Sequence, residues 1–409
     1  MQNQFSNKQT QGIVWTLLFL MPIIGMAVDL VAPSLPAITN TLKISPQLSK
    51  EIISLYLLGY GLGNLVSGFL TDAYGRKKLL RFCLLGFLVM SFLPILFLNI
   101  KMLLLARFLQ GIMLGGVSVV IRAVFSDILD TAQLIRLSTM IGTMWGLGPV
   151  LGPAIGGYLQ FYFGWKSCFY FFVIIAAVMS GFVWKIIPET LNYPSSLDIK
   201  TIKTNLFKII RHREYMAIVV LMGFSYSLII AFNVGGPFFI QSRLHYSSVF
   251  FGYSALFLGL VFLSSTFTSR YFLKQKTVEQ LHFWFINLFF AVIGAFLIIS
   301  YFFSQSIILF IVMSALMFFV TGLVFPMSMG KGLSFFRHIS GTATALMYFV
   351  NMSITSGVSF ALGFFNIKNV TSMAWAYFFL LLVCMAVFWS FLYKPEKTDL
   401  ETQKFDSIN

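Results

Sequence analysis

Apolar runs of about twenty residues alternate with short polar turns along almost the whole chain, and each run is long enough to cross a hydrocarbon layer of about 30 Å as a helix. The runs fall at 13–36, 50–71, 79–99, 101–122, 135–158 and 166–187. After a polar interval they resume at 214–241, 249–272, 280–302, 305–330, 340–363 and 372–393. The pattern predicts an all-α integral membrane protein with about twelve transmembrane helices in two six-helix halves. On this reading 1–187 is an N-terminal six-helix bundle, 188–213 a cytoplasmic linker, 214–393 a C-terminal six-helix bundle and 394–409 a cytoplasmic tail. The first run has no small-residue cleavage site after it and reads as an uncleaved helix.

Composition narrows the class further. Hydrophobic residues make up 58% of 409 positions and charged residues 10%, where a soluble domain carries about 25% charged residues. No water-soluble particle hides that much apolar surface. Cys83, Cys168 and Cys384 lie inside apolar runs and read as small packing residues. No phosphate-cradling Gly-x-x-x-x-Gly-Lys run and no His/Cys cluster is present, so no enzyme, ATP-driven pump, metal site or cofactor is expected.

The net charge of +15 would point to nucleic acid in a soluble protein. Here the basic residues sit in short turns and report orientation instead. With both termini cytoplasmic, roughly 21 of the 28 lysines and arginines fall inside the cell. They include Arg76, Lys77, Lys78, Arg81, Arg270, Lys274, Lys276, Lys331 and Arg337, while Lys43, Lys101, Arg243 and Lys368 are scattered outside. The linker's Lys200, Lys203, Lys208, Arg211 and Arg213 obey the same rule. Nucleic acid is excluded as a partner.

Three runs carry chemistry. Gly68-Phe69-Leu70-Thr71-Asp72-Ala73-Tyr74-Gly75-Arg76-Lys77-Lys78 joins the second and third helices. Gly68 permits close helix approach and Gly75 a tight turn. Asp72 stands at a helix C-terminus, where the dipole is negative, so a cation or a neighbouring helix N-terminus must answer it. Arg107-Phe108-Leu109-Gln110-Gly111 places an arginine inside the fourth helix, and Gly148, Gly152, Pro153, Gly156 and Gly157 lay a flat strip along a kinked fifth. The first run resembles the signature loop of the major facilitator superfamily, with Asp72, Gly75, Arg76 and Lys77 at its matching positions. The second is similar to that family's intramembrane arginine motif, and the third to the motif of its antiporters. The resemblance implies a gating loop, an Arg107 near the first helix, and a glycine face that packs on the eighth helix and limits leak. The corresponding loop of the second half, Thr268 to Lys274, is degenerate. Asp29-Leu30-Val31-Ala32-Pro33-Ser34-Leu35-Pro36, Pro188-Glu189-Thr190-Leu191 and Gly236-Pro237-Phe238 together resemble the bicyclomycin/chloramphenicol-resistance (Bcr/CflA) type of drug:proton antiporter.

Asp29 is the one acid among 13 that lies well inside an apolar run. A charged carboxylate is costly there, so such a group is suited to loading a proton from one side and releasing it to the other. The competing reading has Asp29 reaching the outer interface beside Pro33. Arg107 keeps its charge and needs carboxylate, carbonyl or water partners, and it is expected to tune Asp29 directly or through water. Arg122 reads as an inner-interface anchor neutralised by Asp127 and Asp130. Substrate-cavity candidates are the polar residues embedded in apolar runs: Tyr56, Asn64, Trp145, Tyr226, Asn233, Asn287 and Asn351. Each also reads as an interhelical hydrogen-bonding residue.

The expected function is proton-coupled export of a small, amphipathic drug-like molecule, cationic or neutral. Export of an endogenous metabolite such as a siderophore, proton-coupled import, and a non-transporting receptor are the alternatives. The expected partners are the small-molecule substrate, protons and the lipid bilayer, with the chain a monomer in a bacterial-type inner membrane and the proton gradient as its energy source.

Overall fold

The computed structural model describes residues 6–191, 199–336, 339–365 and 367–393, with backbone alone for some residues between 131 and 145 and for residue 199. The first span is broken: α1 (Asn7–Asp29) passes through a 3₁₀ turn, Ala32–Ser34, into α2 (Leu35–Leu42). Pro33 and Pro36 fall in that turn and in the opening turn of α2, where a missing N–H leaves no hydrogen bond unmade. The span therefore runs on to Leu42, beyond the limit at 36 read from hydropathy, and Asp29 sits at an interior break. The rest of the first half is α3 (Pro46–Tyr74), α4 (Arg76–Leu96), α5 (Ile100–Ile128), α6 (Thr131–Phe163) and α7 (Lys166–Ile186).

The linker holds a short helix, α8 (Ile199–Ile210), that the sequence reading had as polar chain only. Its Ile202, Leu206 and Ile209 recur at helical spacing, and Ile209 is fully buried. The second half comprises α9 (Arg213–Pro237), α10 (Ser248–Phe272), α11 (Val278–Phe302), α12 (Ile307–Phe335), α13 (Ser340–Phe364) and α14 (Val370–Val387). Pro237 ends the regular part of α9, which closes on a π turn over Phe238–Arg243. Eleven spans meet the length and composition of a membrane crossing among the described residues, and the 33-residue α6 makes the twelfth. Arg337, His338 and the tail from 394 lie outside the described residues.

Burial tells which spans face one another. The most apolar stretch of the seventh span, Arg213–Arg243, is 89% buried, and that of the ninth, α11, 22%. The first and seventh spans thus stand at the centre, and α11 faces lipid. The halves meet along α3 with α13 and along α6 with α10. These pairs interchange when one half is mapped on the other, as a two-halved bundle requires.

The end opposite the linker is sealed by polar contacts between the halves. The Ser54 hydroxyl donates to Ser359 Oγ at 2.8 Å, and Ser356 Oγ donates to the Ser54 carbonyl at 2.7 Å. Lys50, a buried lysine, donates to the carbonyls of Leu362 and Phe365, each at 3.3 Å, at the end of α13. No acid is needed there, because the last turn of a helix presents unpaired carbonyls and negative dipole. Charge-assisted bonds of this kind contribute about 1.5–3 kcal/mol, enough to shift a two-state population roughly tenfold. Lys50→Met in a Ser54→Cys background should therefore label several-fold faster with a membrane-impermeant maleimide than Ser54→Cys alone. Equal labelling rates would show that Lys50 does not hold this seal.

Candidate functional site

Midway along the bundle a polar cluster joins the two halves. Asp29 is fully buried at the break in the first span, so it does not reach the interface. Its Oδ1 accepts a hydrogen bond from Asn233 Nδ2 of α9 at 2.6 Å, and its Oδ2 has no partner among the described residues. A bond between a side chain of the first span and one of the seventh is a bond between halves.

Arg107 lies beside it without an ion pair. Its guanidinium donates to the Ala27 carbonyl at 2.8 Å, to Gln110 Oε1 at 3.0 Å and to the Ile52 carbonyl at 3.4 Å, with Cζ 4.2 Å from the Tyr56 ring centroid. Gln110 is in turn oriented by its Nε2 donating to Ser91 Oγ at 2.9 Å. Carbonyl dipoles and an aromatic face thus replace the carboxylate that a buried cation needs. No direct Asp29–Arg107 bond is formed in this conformation. Arg107 instead grips the α1 backbone two residues before Asp29.

Tyr56 and Tyr226 lie within electrostatic reach of Asp29, and both are buried. The Tyr56 hydroxyl and both side-chain polar atoms of Asn351 on α13 lack hydrogen-bond partners among the described residues. Buried polar atoms in folded proteins are nearly always satisfied, by protein or by water or ligand.

Three glycines of the strip pack elsewhere than the resemblance implied. A Cβ on Gly156 would fall on the Leu30 carbonyl oxygen, one on Gly148 would lie 2.6 Å from Met26 N, and one on Gly152 would lie 3.3 Å from Leu30 N. This face packs on the first span, within the same half, directly under Asp29. Gly157 and Pro153 turn to the eighth span, and the Gly157 carbonyl accepts from Ser248 Oγ at 2.9 Å. There the close approach comes from the other side as well: a Cβ on Gly252 would meet the Pro153 carbonyl at 2.9 Å, and one on Gly259 the Val150 side chain at 2.8 Å. α6 runs as a helix through both Pro149 and Pro153.

At the linker end the signature loop forms a charge network. Arg76 binds Asp72 at 2.7 Å and Asp127 at 3.1 Å, and donates to the Thr71 carbonyl at 2.6 Å. Glu189 caps α4 by accepting from the backbone N–H groups of Arg76 at 2.8 Å and Lys77 at 3.2 Å, which suits an acid at a helix N-terminus. Gly75 makes the turn at φ +97°, and a Cβ there would lie 2.6 Å from Glu189 Oε2. Thr190 Oγ1 donates to Asp127 at 2.7 Å, so the Pro188–Leu191 run is tied to this loop. Gly68 faces the other half, its position 3.2 Å from the Ala345 Cβ of α13 when a Cβ is built on it.

Other expected assignments change. Asp127 and Asp130 do not neutralise Arg122, because Asp127 serves Arg76 and Asp130 caps α6 through Gln133 N at 2.7 Å. Arg122 instead donates to Asn64 Oδ1 at 2.7 Å and Ser118 Oγ at 3.0 Å. Asn64 is thereby a partner of Arg122. Asn287 sits between α11 and the end of the last span, bonded to the Phe283 carbonyl at 2.7 Å and Trp389 Nε1 at 3.3 Å, far from the central spans. The side chain of Trp145 lies outside the described residues. Lys50 was missed by the sequence reading, although a lysine one turn inside an apolar helix was the available signal.

Overpacking a tight helix contact costs about 1–3 kcal/mol. Gly156→Leu should lower the unfolding temperature in detergent by several degrees, followed by tryptophan fluorescence. Gly181→Leu, at a glycine with nothing within 4 Å of a built Cβ, should leave it unchanged. Equal behaviour of the two variants would contradict the strip's role in positioning α1.

Comparison with known proteins agrees with this arrangement. An "Uncharacterized transporter" of Rickettsia bellii is 25% identical over 395 residues, covering 94% of this chain and 98% of that one. A "Bicyclomycin resistance protein homolog" of Haemophilus influenzae is 24% identical over 231 residues, covering 56% of this chain and 58% of that protein. The solved structure of a D-xylose-proton symporter superposes with a TM-score of 0.74 at 13% identity over 95% of this chain and 99% of that one, a likeness of fold. The family profile described as Major Facilitator Superfamily matches residues 17–360. A twelve-span bundle in two halves, with polar groups meeting at its centre, is what that match leads one to find, and the chain belongs to the Major Facilitator Superfamily of membrane transporters.

Proposed function

We propose that this chain is a proton-coupled exporter of a small amphipathic molecule, with alternating access between the halves 1–187 and 214–393. The observation that carries this reading is Asp29, a fully buried carboxylate with one oxygen bonded across the halves to Asn233 and the other without a partner among the described residues. As a carboxylate it accepts from Asn233. As a carboxylic acid it also carries a donor, which needs an acceptor in turn. Taking up a proton therefore changes which contacts between the first and seventh spans are satisfied, and that couples charge to the relative position of the halves.

Arg107 is the fixed element in this scheme. Tied to the Ala27 and Ile52 carbonyls and to Gln110, it holds the α1 backbone and keeps a positive potential near Asp29. The network of Asp72, Arg76, Asp127 and Glu189 braces the linker end of the first half and serves as the gating loop. The excess of basic residues at the linker end supports a bacterial-type inner membrane location with both termini cytoplasmic. The drug-like substrate is supported by the bicyclomycin-resistance homolog among the relatives and by the aromatic surroundings of the centre.

The test is transport in proteoliposomes carrying an imposed pH gradient, with bicyclomycin and chloramphenicol as first probes. Wild type should move the probe against the proton flux. Asp29→Asn should lose gradient-driven movement, falling to the level of empty vesicles, while retaining exchange of probe across the membrane. Gradient-driven transport at normal rates in Asp29→Asn would overturn the proposal.

A further inference from the structure

We infer that the central cavity is built for a substrate carrying an anionic group, which seats on Arg122, and that it discriminates against cations. The inference rests on the transport reading above and names its substrate class.

The argument begins with a census of interior charge. Among the described residues the buried charged side chains are Asp29, Lys50, Arg76 and Arg107. Arg76 is spent on Asp72 and Asp127. Lys50 and Arg107 are answered by carbonyls and ring faces, and neither forms an ion pair with an acid among the described residues. Half-buried Arg122 adds a third such cation, with no carboxylate within ion-pair distance among the described residues. Against these three the one buried acid is Asp29, and Asp72, which lines the linker-end cleft with Arg122, is paired with Arg76.

Arg122 also occupies the right place. It lines a largely apolar cavity of about 120 Å³ that both halves build, from Met21 and Ile24 of α1, Phe325 and Met329 of α12 and Tyr348 of α13. It equally lines a cleft of about 260 Å³ that opens at the linker end beside Thr71, Asp72, Ser126 and Thr344, with the Asp72 carboxylate bonded to Arg76 at 2.7 Å. Met21 and Ile24 lie about 8–12 Å along the first span from Asp29, given a rise of about 1.5 Å per residue. A molecule moving from the linker end toward Asp29 passes Arg122 between the two spaces. The guanidinium is pre-oriented by Asn64 and Ser118 and lies 4.4 Å from the Tyr348 ring centroid. Two of its five N–H groups are used by those bonds, and a planar fork held this way matches a carboxylate or another oxyanion. The apolar walls accept the rest of an amphipathic molecule. A permanent cation would meet the same aromatic faces, but Arg107 already covers Tyr56 and Arg122 already covers Tyr348.

The test uses a matched series on one ring: 1-naphthylacetate, 1-naphthylacetamide and (1-naphthylmethyl)trimethylammonium. Binding to the full chain in lipid nanodiscs is read by fluorescence titration, with empty nanodiscs correcting for partition. Wild type should bind the acetate about tenfold more tightly than the ammonium, the size of one charge-assisted contact. Arg122→Gln should weaken the acetate by about tenfold and the amide by less than about twofold, and Arg122→Lys should restore most of the loss. Two results overturn the inference: ammonium binding as tight as acetate in wild type, or Arg122→Gln weakening all three probes alike. Because this is equilibrium binding with no pH gradient, its failure leaves proton coupling standing. Loss of gradient-driven transport with the anion preference intact would instead remove the coupling and keep this site.

Discussion

A carboxylate placed where neither water nor lipid can solvate it must be held by donors that the fold brings to it, and here the donor comes from the opposite half of the molecule. The Asn233–Asp29 hydrogen bond spans 204 positions of sequence and closes over the centre of the bundle. Several other features exist to place its acceptor. Pro33 and Pro36 break the first span just beyond Asp29, Gly148, Gly152 and Gly156 let α6 press against α1 beneath it, and Arg107 fixes the backbone at Ala27. Each is an ordinary device of helix packing, and together they put one acid at the junction of two rigid bodies.

The two ends of the bundle are closed by different physics. Opposite the linker, Lys50 and the serines of α3 and α13 bond directly from half to half. At the linker end the charges of the signature loop bond within the first half, so Arg76, Asp72, Asp127 and Glu189 brace that half rather than lock it to the other. Clefts lined by Arg122 occupy the space between halves at that end. This asymmetry is that of a bundle shut on one side and approachable from the other.

Much of this was legible in the sequence, for reasons that can be named. A helix in lipid must satisfy all its backbone groups internally, so spans announce themselves by length and hydropathy, and all twelve were placed within several residues. Single buried charges stand out because they are costly, which is why Asp29 and Arg107 were found by inspection. The partners of Arg107 were not, because a hydrogen bond to Ala27 or Ile52 uses a backbone carbonyl that any residue offers. The direction of the glycine strip was misread for a related reason. Four-residue spacing reveals a flat face but carries no information about which neighbour fills it, and the contact of α6 with the eighth span uses Gly157 together with Gly252 and Gly259 of α10. Arg122 was assigned to Asp127 and Asp130 by nearness along the chain, whereas Asp127 turns to Arg76 and Arg122 to Asn64 and Tyr348.

The claim most exposed to experiment is that the protonation of Asp29 and the relative position of the halves are one event. Infrared difference spectroscopy on the reconstituted protein can follow the carboxylic C=O band that Asp29→Asn removes. Spin labels across the α3–α13 seam near Ser54 can follow the separation of the halves on the same samples. The account predicts that band and distance change together, with a common midpoint in pH, and that Asp29→Asn abolishes the pH dependence of both. A seam that opens and closes with pH in Asp29→Asn as it does in wild type would contradict it.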